Sequence, residues 1–258
     1  MRRGDLTVLS ISAVLAAIVV VAVTFSVRVL DRTPVTVEFE PVDSPSTWLV
    51  MTWGPSLCIA ASSSPGCASG HVEGMGQTWV LHGLWPQPAT NQYCGVPKGL
   101  MDRARDIRNE LPPVDIGGET RDALQSMMSD ASVLAPHEWY AHGTCSGVTP
   151  DVYFGDAVAL TEQARTVLDP VFAAEAGGGR IQLRDVQAEL NRAFGDGAGD
   201  RVRLSCRNVT GLGSVAYELH VSLPLVAELR TSEGIRPLKD TIGKAPTLGP
   251  GCQHASLP

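Results

Sequence analysis

An apolar segment near the amino terminus constrains this chain more than any other feature. Leu6–Val27 contains no charged residue, is rich in Val, Ala, Leu and Ile, and has arginines on both sides. A helix that is apolar on every face does not suit the surface of a globular domain, and the segment reaches the length of about 20 residues that spans a bilayer. We expect either an uncleaved anchor with its amino terminus in the cytoplasm or a cleaved signal peptide. Both alternatives place the rest of the chain outside the cytosol.

The six cysteines fit an exported protein. They form no Cys-x-x-Cys pair, and no Cys/His spacing is typical of a zinc site. An even number of cysteines outside the cytosol favours disulfide bonds, although the sequence alone does not say which cysteines pair.

The formal net charge of −7 limits the functions that the chain can have. No global basic field attracts a polyanion, which counts against a protein that coats nucleic acid stoichiometrically. An enzyme that handles one phosphate at a time is compatible with this charge.

The hydrophobic periodicity predicts a mixture of strands and helices. Residues 1–30 form the anchor or signal segment, 31–47 a linker and 48–258 one α+β domain, in which no internal repeat or second linker appears. We expect a central antiparallel sheet flanked by helices, stapled by disulfides and preceded by the apolar helix. The predicted strands are Trp48–Trp53, Gln77–Leu81, Arg201–Cys206 and Val215–Leu223. The predicted helices are Leu100–Glu110, Glu119–Met128, a segment opened by Pro136, Val152–Leu168 and Leu183–Phe194.

Two short motifs carry the residues that can do chemistry. Trp79–Gln87 (W-V-L-H-G-L-W-P-Q) and Pro136–Cys145 (P-H-E-W-Y-A-H-G-T-C) hold three of the six histidines, whereas His71, His220 and His254 are isolated. Since imidazole has an ordinary pKa of about 6.5, one histidine can be neutral while another is protonated near neutral pH. A reaction that removes one proton and returns another needs such a pair.

The second motif also predicts a site for an anion. With Pro136 in the first turn of a helix, His137 and Glu138 lie near free backbone N–H groups, and His142 shares a face with Glu138. His82, from a separate strand end, would face this helix. The arrangement suits in-line attack at phosphorus with an acid and a base on opposite sides.

Three other interpretations of these residues are weaker. A single histidine is more often structural than catalytic, but here three cluster with one carboxylate. A metal site is disfavoured because His137 and His142 are five residues apart, not the four of H-E-x-x-H. A serine hydrolase is disfavoured because no G-x-S-x-G occurs. Of the tryptophans, Trp79 and Trp139 suit a core, whereas Trp85 could stack on a base.

The two motifs resemble those of the ribonuclease T2 family. H-G-L-W-P is present as His82–Pro86, and H-E-W-x-K-H-G-T-C as His137–Cys145 with one departure. The resemblance extends more loosely over Trp48–Cys252. It implies an α+β endoribonuclease that needs no metal or other cofactor, has RNA as its substrate and gives 2′,3′-cyclic phosphate ends, then 3′-phosphates.

The resemblance also implies a role for each motif residue. His142 corresponds to the general base, His82 to the acid that protonates the leaving 5′ oxygen, and Glu138 to the residue that supports the pentacovalent state. His137 corresponds to a phosphate-binding residue and Trp85 to a base-stacking one. The disulfides that it implies are Cys58–Cys67, Cys94–Cys145 and Cys206–Cys252.

Departures from the family pattern affect activity and specificity. Ala141 replaces a lysine that neutralises charge on the phosphorane, and losing one such group typically costs about 100- to 1,000-fold in rate. The enzyme is then slow, unless Lys98 or Arg103 reaches the site. Gln87 stands where many members carry Asp, so base preference can differ. Tyr93 is a further candidate for stacking on a base.

We therefore expect an exported endoribonuclease, secreted or held at the membrane through Leu6–Val27, and monomeric. One alternative is a catalytically weakened member that binds RNA or a protein, because Ala141 replaces the lysine. Another is a metal-dependent phosphoesterase built on the same histidines.

Overall fold

The computed structural model of the chain describes residues 17–22, 45–232 and 234–258. Most of the predicted apolar segment Leu6–Val27, and most of the linker 31–47, lie outside these ranges. Residues 17–22 are helical and exposed. Among the described residues, no helix combines the length and the apolar character needed to cross a membrane.

The described domain alternates strands and helices along the chain. Its strands are β1 (Ser46–Trp53), β2 (Trp79–Gln87), β3 (Arg180–Gln182), β4 (Val202–Val209), β5 (Gly213–Leu223), β6 (Arg230–Thr231), β7 (Gly234–Ile235) and β8 (His254–Ser256). Its α-helices are α1 (Gly54–Ala60), α2 (Pro65–Ala68), α3 (His71–Met75), α4 (Lys98–Ala104), α5 (Gly118–Met127), α6 (Ala131–Ala141), α7 (Pro150–Glu175), α8 (Leu183–Phe194) and α9 (Leu238–Thr241). Short 3₁₀ turns lie at Gly143–Cys145, Ala198–Arg201, Val226–Glu228 and Ile242–Lys244.

The main sheet confirms the predicted α+β class. Its order is β2-β1-β5-β8-β3, and β4 pairs with β5 as well. The strands pair antiparallel except β5 with β8, which are parallel. β6 and β7 form a separate small hairpin.

Alternation along β1 gives the sheet two different faces. Leu49, Met51 and Trp53 are fully buried in the core. Helix α7 packs on this face, where the ring of Phe172 lies 5.2 Å from that of Trp53 and 4.7 Å from that of Trp79. The alternate residues of β1, which include Trp48, point to the opposite face. That face is therefore available for a functional site.

Helix α7 also fixes β2, the strand that carries the first motif. Asp169 accepts hydrogen bonds from the Thr78 hydroxyl at 2.6 Å and the Trp79 N–H at 3.0 Å. The Tyr153 hydroxyl donates to the Leu84 carbonyl at 2.6 Å and accepts from its N–H at 3.1 Å. These bonds hold β2 on both sides of His82.

The prediction that Pro136 opens a helix is wrong. Helix α6 begins at Ala131, and the Asp130 carboxylate caps it by accepting a hydrogen bond from the Ser132 N–H at 3.1 Å. Pro136 lies inside the helix, where it forgoes one backbone hydrogen bond. His137 and Glu138 are thus in the second half of α6, and the argument from free N–H groups at a helix start does not apply to them.

Two other elements extend past their predicted ends. β2 was predicted to end at Leu81, yet it continues through His82 and Pro86 to Gln87. β2 is an edge strand of the sheet, where a missing N–H is tolerated. Helix α7 extends past the predicted Leu168 to Glu175 and contains Pro170.

Three disulfides are present, at the pairs that the family resemblance implied: Cys58–Cys67, Cys94–Cys145 and Cys206–Cys252. Cys94–Cys145 ties the loop after β2 to the 3₁₀ turn after α6. The second motif is therefore joined covalently to the loop that follows the first.

Candidate active site

His82 occupies an irregular position in β2. Leu81 pairs with Met51 and Gly83 pairs with Val50, so β2 has one more residue here than β1, and His82 has no partner opposite. Bulges of this kind redirect a side chain and are common next to active sites. His82 thus lies in the middle of a strand, not at its end as the sequence suggested.

Two carboxylates flank the His82 ring. Its Nε2 lies 3.4 Å from Glu138 Oε1, and its Nδ1 lies 3.3 Å from Glu218 Oε1, at ion-pair distance but without the alignment of a hydrogen bond. Burial alone would lower the pKa of His82, but the nearby charges of Glu138 and Glu218 outweigh it and raise that pKa to about 10. The His82 ring is therefore an imidazolium at neutral pH.

Glu138 is the central anion of the site. Only 1% of its surface is exposed, and its Oε2 accepts a hydrogen bond from Trp85 Nε1 at 2.8 Å. Burial would raise the pKa of Glu138, but the charges of His82, His142 and His137 hold it down to about 2. Gly83 leaves room for this carboxylate, because a Cβ atom on Gly83 would lie 2.3 Å from Glu138 Oε2.

His142 has the opposite electrostatic environment from His82. It follows the last residue of α6 and stacks on Trp85, with ring centres 4.9 Å apart and planes at 22°. Its burial lowers its pKa, Glu138 raises it in part, and the positive charges of His82 and His137 lower it further, to about 4. The His142 ring is thus neutral at neutral pH and can accept a proton.

The remaining predicted site residues lie around this centre. His137 is half-buried and acts electrostatically on both Glu138 and His142. Gln87 is buried, and its side-chain amide donates to the Trp85 carbonyl at 3.1 Å. Tyr93 is half-buried, and its N–H donates to the Ala141 carbonyl at 2.9 Å.

The two cations suggested as substitutes for the missing lysine both lie on the exposed surface of α4. Ala141 itself is buried at the end of α6. The Lys98 ammonium forms an ion pair with Asp102 at 2.6 Å on the exposed surface of α4. Arg103 is exposed on the same helix. The Lys98 ammonium is thus exposed and already paired with a carboxylate.

Two site residues, Glu218 and His220, were missed by reasoning from the sequence. His220 was treated as isolated, yet it stacks on Trp48 with ring centres 5.2 Å apart, and its Nε2 lies 3.3 Å from Glu218 Oε2. The signal that could have found them is their spacing of two on a strand, which puts both on one face. His71 is structural, since its Nε2 lies 3.2 Å from the Met128 carbonyl oxygen.

A pocket of about 560 Å³ opens beside His82. Its wall is mainly apolar and is formed by β1, β2, β5, α6, the segment from α1 to the start of α2, and the chain that follows α4. Residues that line it include Thr52, Val80, His82, Arg108, Leu134 and Tyr217. Its volume lies in the range of about 300–1,000 Å³ for small-ligand sites.

The profile of the Ribonuclease T2 family matches residues 46–228, which is more than half of the chain. The chain belongs to the ribonuclease T2 family. Escherichia coli Ribonuclease I is 26% identical over 175 residues, a match that covers 58% of this chain and 60% of the relative. Ribonuclease MC of Momordica charantia is 28% identical over 174 residues, which cover 61% of this chain and 79% of the relative.

A solved structure supports the fold of this T2 family member. The Nicotiana alata self-incompatibility associated SF11-RNase superimposes with a TM-score of 0.52 and 17% identity, over 83% of this chain and 98% of that one. At this identity the similarity concerns the fold alone. The chain spans about 60% of the length of the Escherichia coli relative.

Proposed function

We propose that this protein is a metal-independent endoribonuclease that cleaves single-stranded RNA by transesterification. The observation that carries the proposal is the contrast between two histidines beside Trp85. His82 is held between two carboxylates and is cationic, whereas His142 is buried and neutral. One residue can therefore give a proton while the other accepts one, as acid/base catalysis requires.

RNA supplies its own nucleophile for this reaction. His142 takes the proton of the 2′-OH, whose oxygen attacks phosphorus and forms the new P–O bond. His82 gives its proton to the 5′ oxygen as the P–O5′ bond breaks. The products are a 2′,3′-cyclic phosphate and a free 5′-OH, and the two histidines have exchanged protonation states. Hydrolysis of the cyclic phosphate by water reverses both transfers and gives the 3′-phosphate.

The neighbouring residues have supporting roles in this proposal. Glu138 stabilises the two cationic imidazoles that occur in turn, and His137 binds the phosphate. Trp85 stacks on a base, and Gln87 and Tyr93 contribute to base contacts. The pocket beside His82 accepts a nucleoside next to the scissile phosphate.

The proposal extends to where the protein acts. Three disulfides support export, because such bonds persist outside the cytosol. The protein is then secreted, or held at the membrane through Leu6–Val27, and acts as a monomer.

The test uses oxidised protein, an oligoribonucleotide and the matching oligodeoxyribonucleotide, with EDTA, at several values between about pH 4 and pH 8. We expect cleavage of RNA only, with 2′,3′-cyclic phosphate ends identified by mass spectrometry. Cleavage of DNA, or complete inhibition by EDTA, would contradict the proposal and favour a metal-dependent phosphoesterase.

Ala141 favours one second function, in which a weakened family member binds RNA or a protein partner. His142→Ala separates the two functions. In an enzyme, this change removes a general base and lowers kcat by about 100- to 10,000-fold, while RNA binding survives. If wild-type protein and the variant bind RNA equally and neither cleaves it, the binding function is favoured.

A further inference from the structure

Glu218 lies behind His82, on the side away from Glu138. Its two oxygens contact two different imidazoles, with Oε1 3.3 Å from His82 Nδ1 and Oε2 3.3 Å from His220 Nε2. The sheet register brings these residues together, because Val50 of β1 pairs with Gly83 on one side and with His220 on the other. The carboxylate thus joins the edge strand of the sheet to β5 at the site.

The position of this carboxylate is fixed from several directions. His220 is only 8% exposed, stacks on Trp48, and has its ring centre 5.9 Å from that of Trp85. Ser205 of β4 pairs with Glu218, and the next pair is Cys206 with Ala216, so that β5 has an extra residue beside Glu218. The Glu218 carboxylate is therefore held in place by its own strand as well as by His220.

The contact decides which nitrogen of His82 is free to react. An ionised carboxylate can only accept hydrogen bonds, so a ring nitrogen that interacts favourably with it must carry the hydrogen. Burial would raise the pKa of Glu218, but its interactions with His220 and His82 hold it down to about 2. Glu138 favours a hydrogen on Nε2 in the same way, but Nδ1 is buried against Glu218, where a substrate does not reach it. Nδ1 of His82 therefore keeps its proton, and Nε2 is the nitrogen that exchanges one.

We propose that Glu218 is a positioning residue that holds the His82 imidazole through Nδ1 and presents Nε2–H to the leaving 5′ oxygen. This inference rests on the proposed ribonuclease function. Glu218 remains ionised throughout. In the first step the Nε2 proton passes to O5′ as the P–O5′ bond breaks, and in the second step Nε2 takes a proton from the attacking water. An acid oriented by a third group is a recurrent arrangement in enzymes.

The pKa of His82 is set by its burial and by Glu138 and Glu218. Several charged or titratable groups lie around the site or line the pocket that His82 lines. They come from α6 and its ends, from β5 and from the pocket wall: Asp130, His137, Glu138, His142, Tyr217, His220 and Arg108. Glu138 acts on Nε2, whereas Glu218 acts on Nδ1. A substitution of Glu218 therefore removes the contact at Nδ1 and keeps the contact between Nε2 and Glu138.

The experiment compares two substrates that differ only in the leaving group. Uridylyl-3′,5′-adenosine loses an alkoxide that needs a proton, whereas uridine 3′-(4-nitrophenyl phosphate) loses a nitrophenolate that does not. We expect Glu218→Gln to lower kcat/KM on the dinucleotide by about 10- to 100-fold and to leave the aryl ester almost unchanged. Glu119→Gln, which removes an exposed carboxylate in the first turn of α5, is the matched control and should affect neither substrate.

The pH profile gives a second readout that loss of structure alone would not change. Removing the Glu218 charge lowers the pKa of His82, so the limb on which kcat/KM falls with rising pH should move to lower pH in Glu218→Gln. Glu218→Asp keeps the charge, so the His82 pKa should stay partly raised. The alkaline limb of this variant should lie between those of the wild type and Glu218→Gln. Equal losses on both substrates, or an unchanged alkaline limb in folded Glu218→Gln, would overturn the positioning role.

Failure of the proposed function itself would look different, because the wild-type protein would then cleave neither substrate. In that case, NMR titration of the His82 ring tests the Glu218 contact without activity. An unchanged titration in Glu218→Gln would overturn the contact. A lower His82 pKa would retain the contact and reject only its catalytic use.

Discussion

The indole nitrogen of Trp85 donates a hydrogen bond of 2.8 Å to Oε2 of Glu138, a residue that is only 1% exposed. The same indole ring stacks on His142. Trp85 therefore has two functions that a base-stacking residue does not need, since it fixes the central anion and supports the neutral imidazole.

Replacing Trp85 by Phe separates the hydrogen bond from the stacking. Phe keeps an aromatic ring beside His142 but cannot donate to Glu138. Because hydrogen bonds to charged groups contribute about 1.5–3 kcal/mol, we expect the free energy of unfolding to fall by about that amount. Denaturant unfolding measures it. Trp48→Phe is the control, and an equal loss in both variants would show that ring size, not the bond to Glu138, matters.

The pH dependence of kcat/KM tests the two protonation states. His142 must be neutral to act as a base, so activity should rise through its pKa of about 4. His82 must be protonated to act as an acid, so activity should fall through its pKa of about 10. We expect a broad plateau between these limits. A narrow optimum with both limbs near the ordinary imidazole pKa would contradict the electrostatic environments described for the two rings.

Gly83→Ala should damage the site without removing any functional group. The added Cβ would lie 2.3 Å from Glu138 Oε2 and 3.3 Å from Trp85 Nε1, so Glu138 has to move. A displacement of about 1 Å in an active site can cost roughly 100-fold in kcat. Gly74→Ala in α3 is the matched control, because a Cβ there meets nothing within 4 Å. Activity of Gly83→Ala equal to that of the control would show that Glu138 needs no fixed position.

The sequence predicted the residues at the centre of the candidate site but not those at its edge. His82, Glu138 and His142 lie in two compact motifs, and their residue types alone indicated acid/base chemistry. The anion argument from Pro136 was wrong because capping by Asp130 starts α6 earlier than the proline suggested. Local sequence favours a proline at a helix start, whereas the packing of the whole helix decides whether an internal proline is tolerated.

Glu218 and His220 show why the remainder was not predictable. They lie on β5, far along the chain from β2, and reach His82 only because both strands pair with β1 in a fixed register. A shift by one residue in either pairing would turn these side chains to the other face. A single sequence contains alternation within a strand but not the register between distant strands, so the contact with His82 appears only in the folded structure.

Ala141→Lys tests what the departure from the family pattern costs. Ala141 ends α6 immediately before His142, and its carbonyl oxygen anchors the loop at Tyr93. The ammonium group of a lysine can extend past buried neighbours along its flexible stem and reach a phosphorane near Glu138 and His142. Because one charge-stabilising group is worth about 100- to 1,000-fold in kcat, we expect turnover of a dinucleotide to rise by at least about 10-fold.

Ala141→Met is the control for this change, because it adds similar length without charge. Near-UV circular dichroism should show that both variants fold, since the added side chain starts from a position that is only 2% exposed. A gain in kcat for Lys alone assigns the effect to the positive charge at the phosphorane. An absence of gain in a folded Ala141→Lys protein would mean that the missing lysine does not limit the rate, and that the His137, His82 and His142 imidazoles already stabilise the transition state sufficiently.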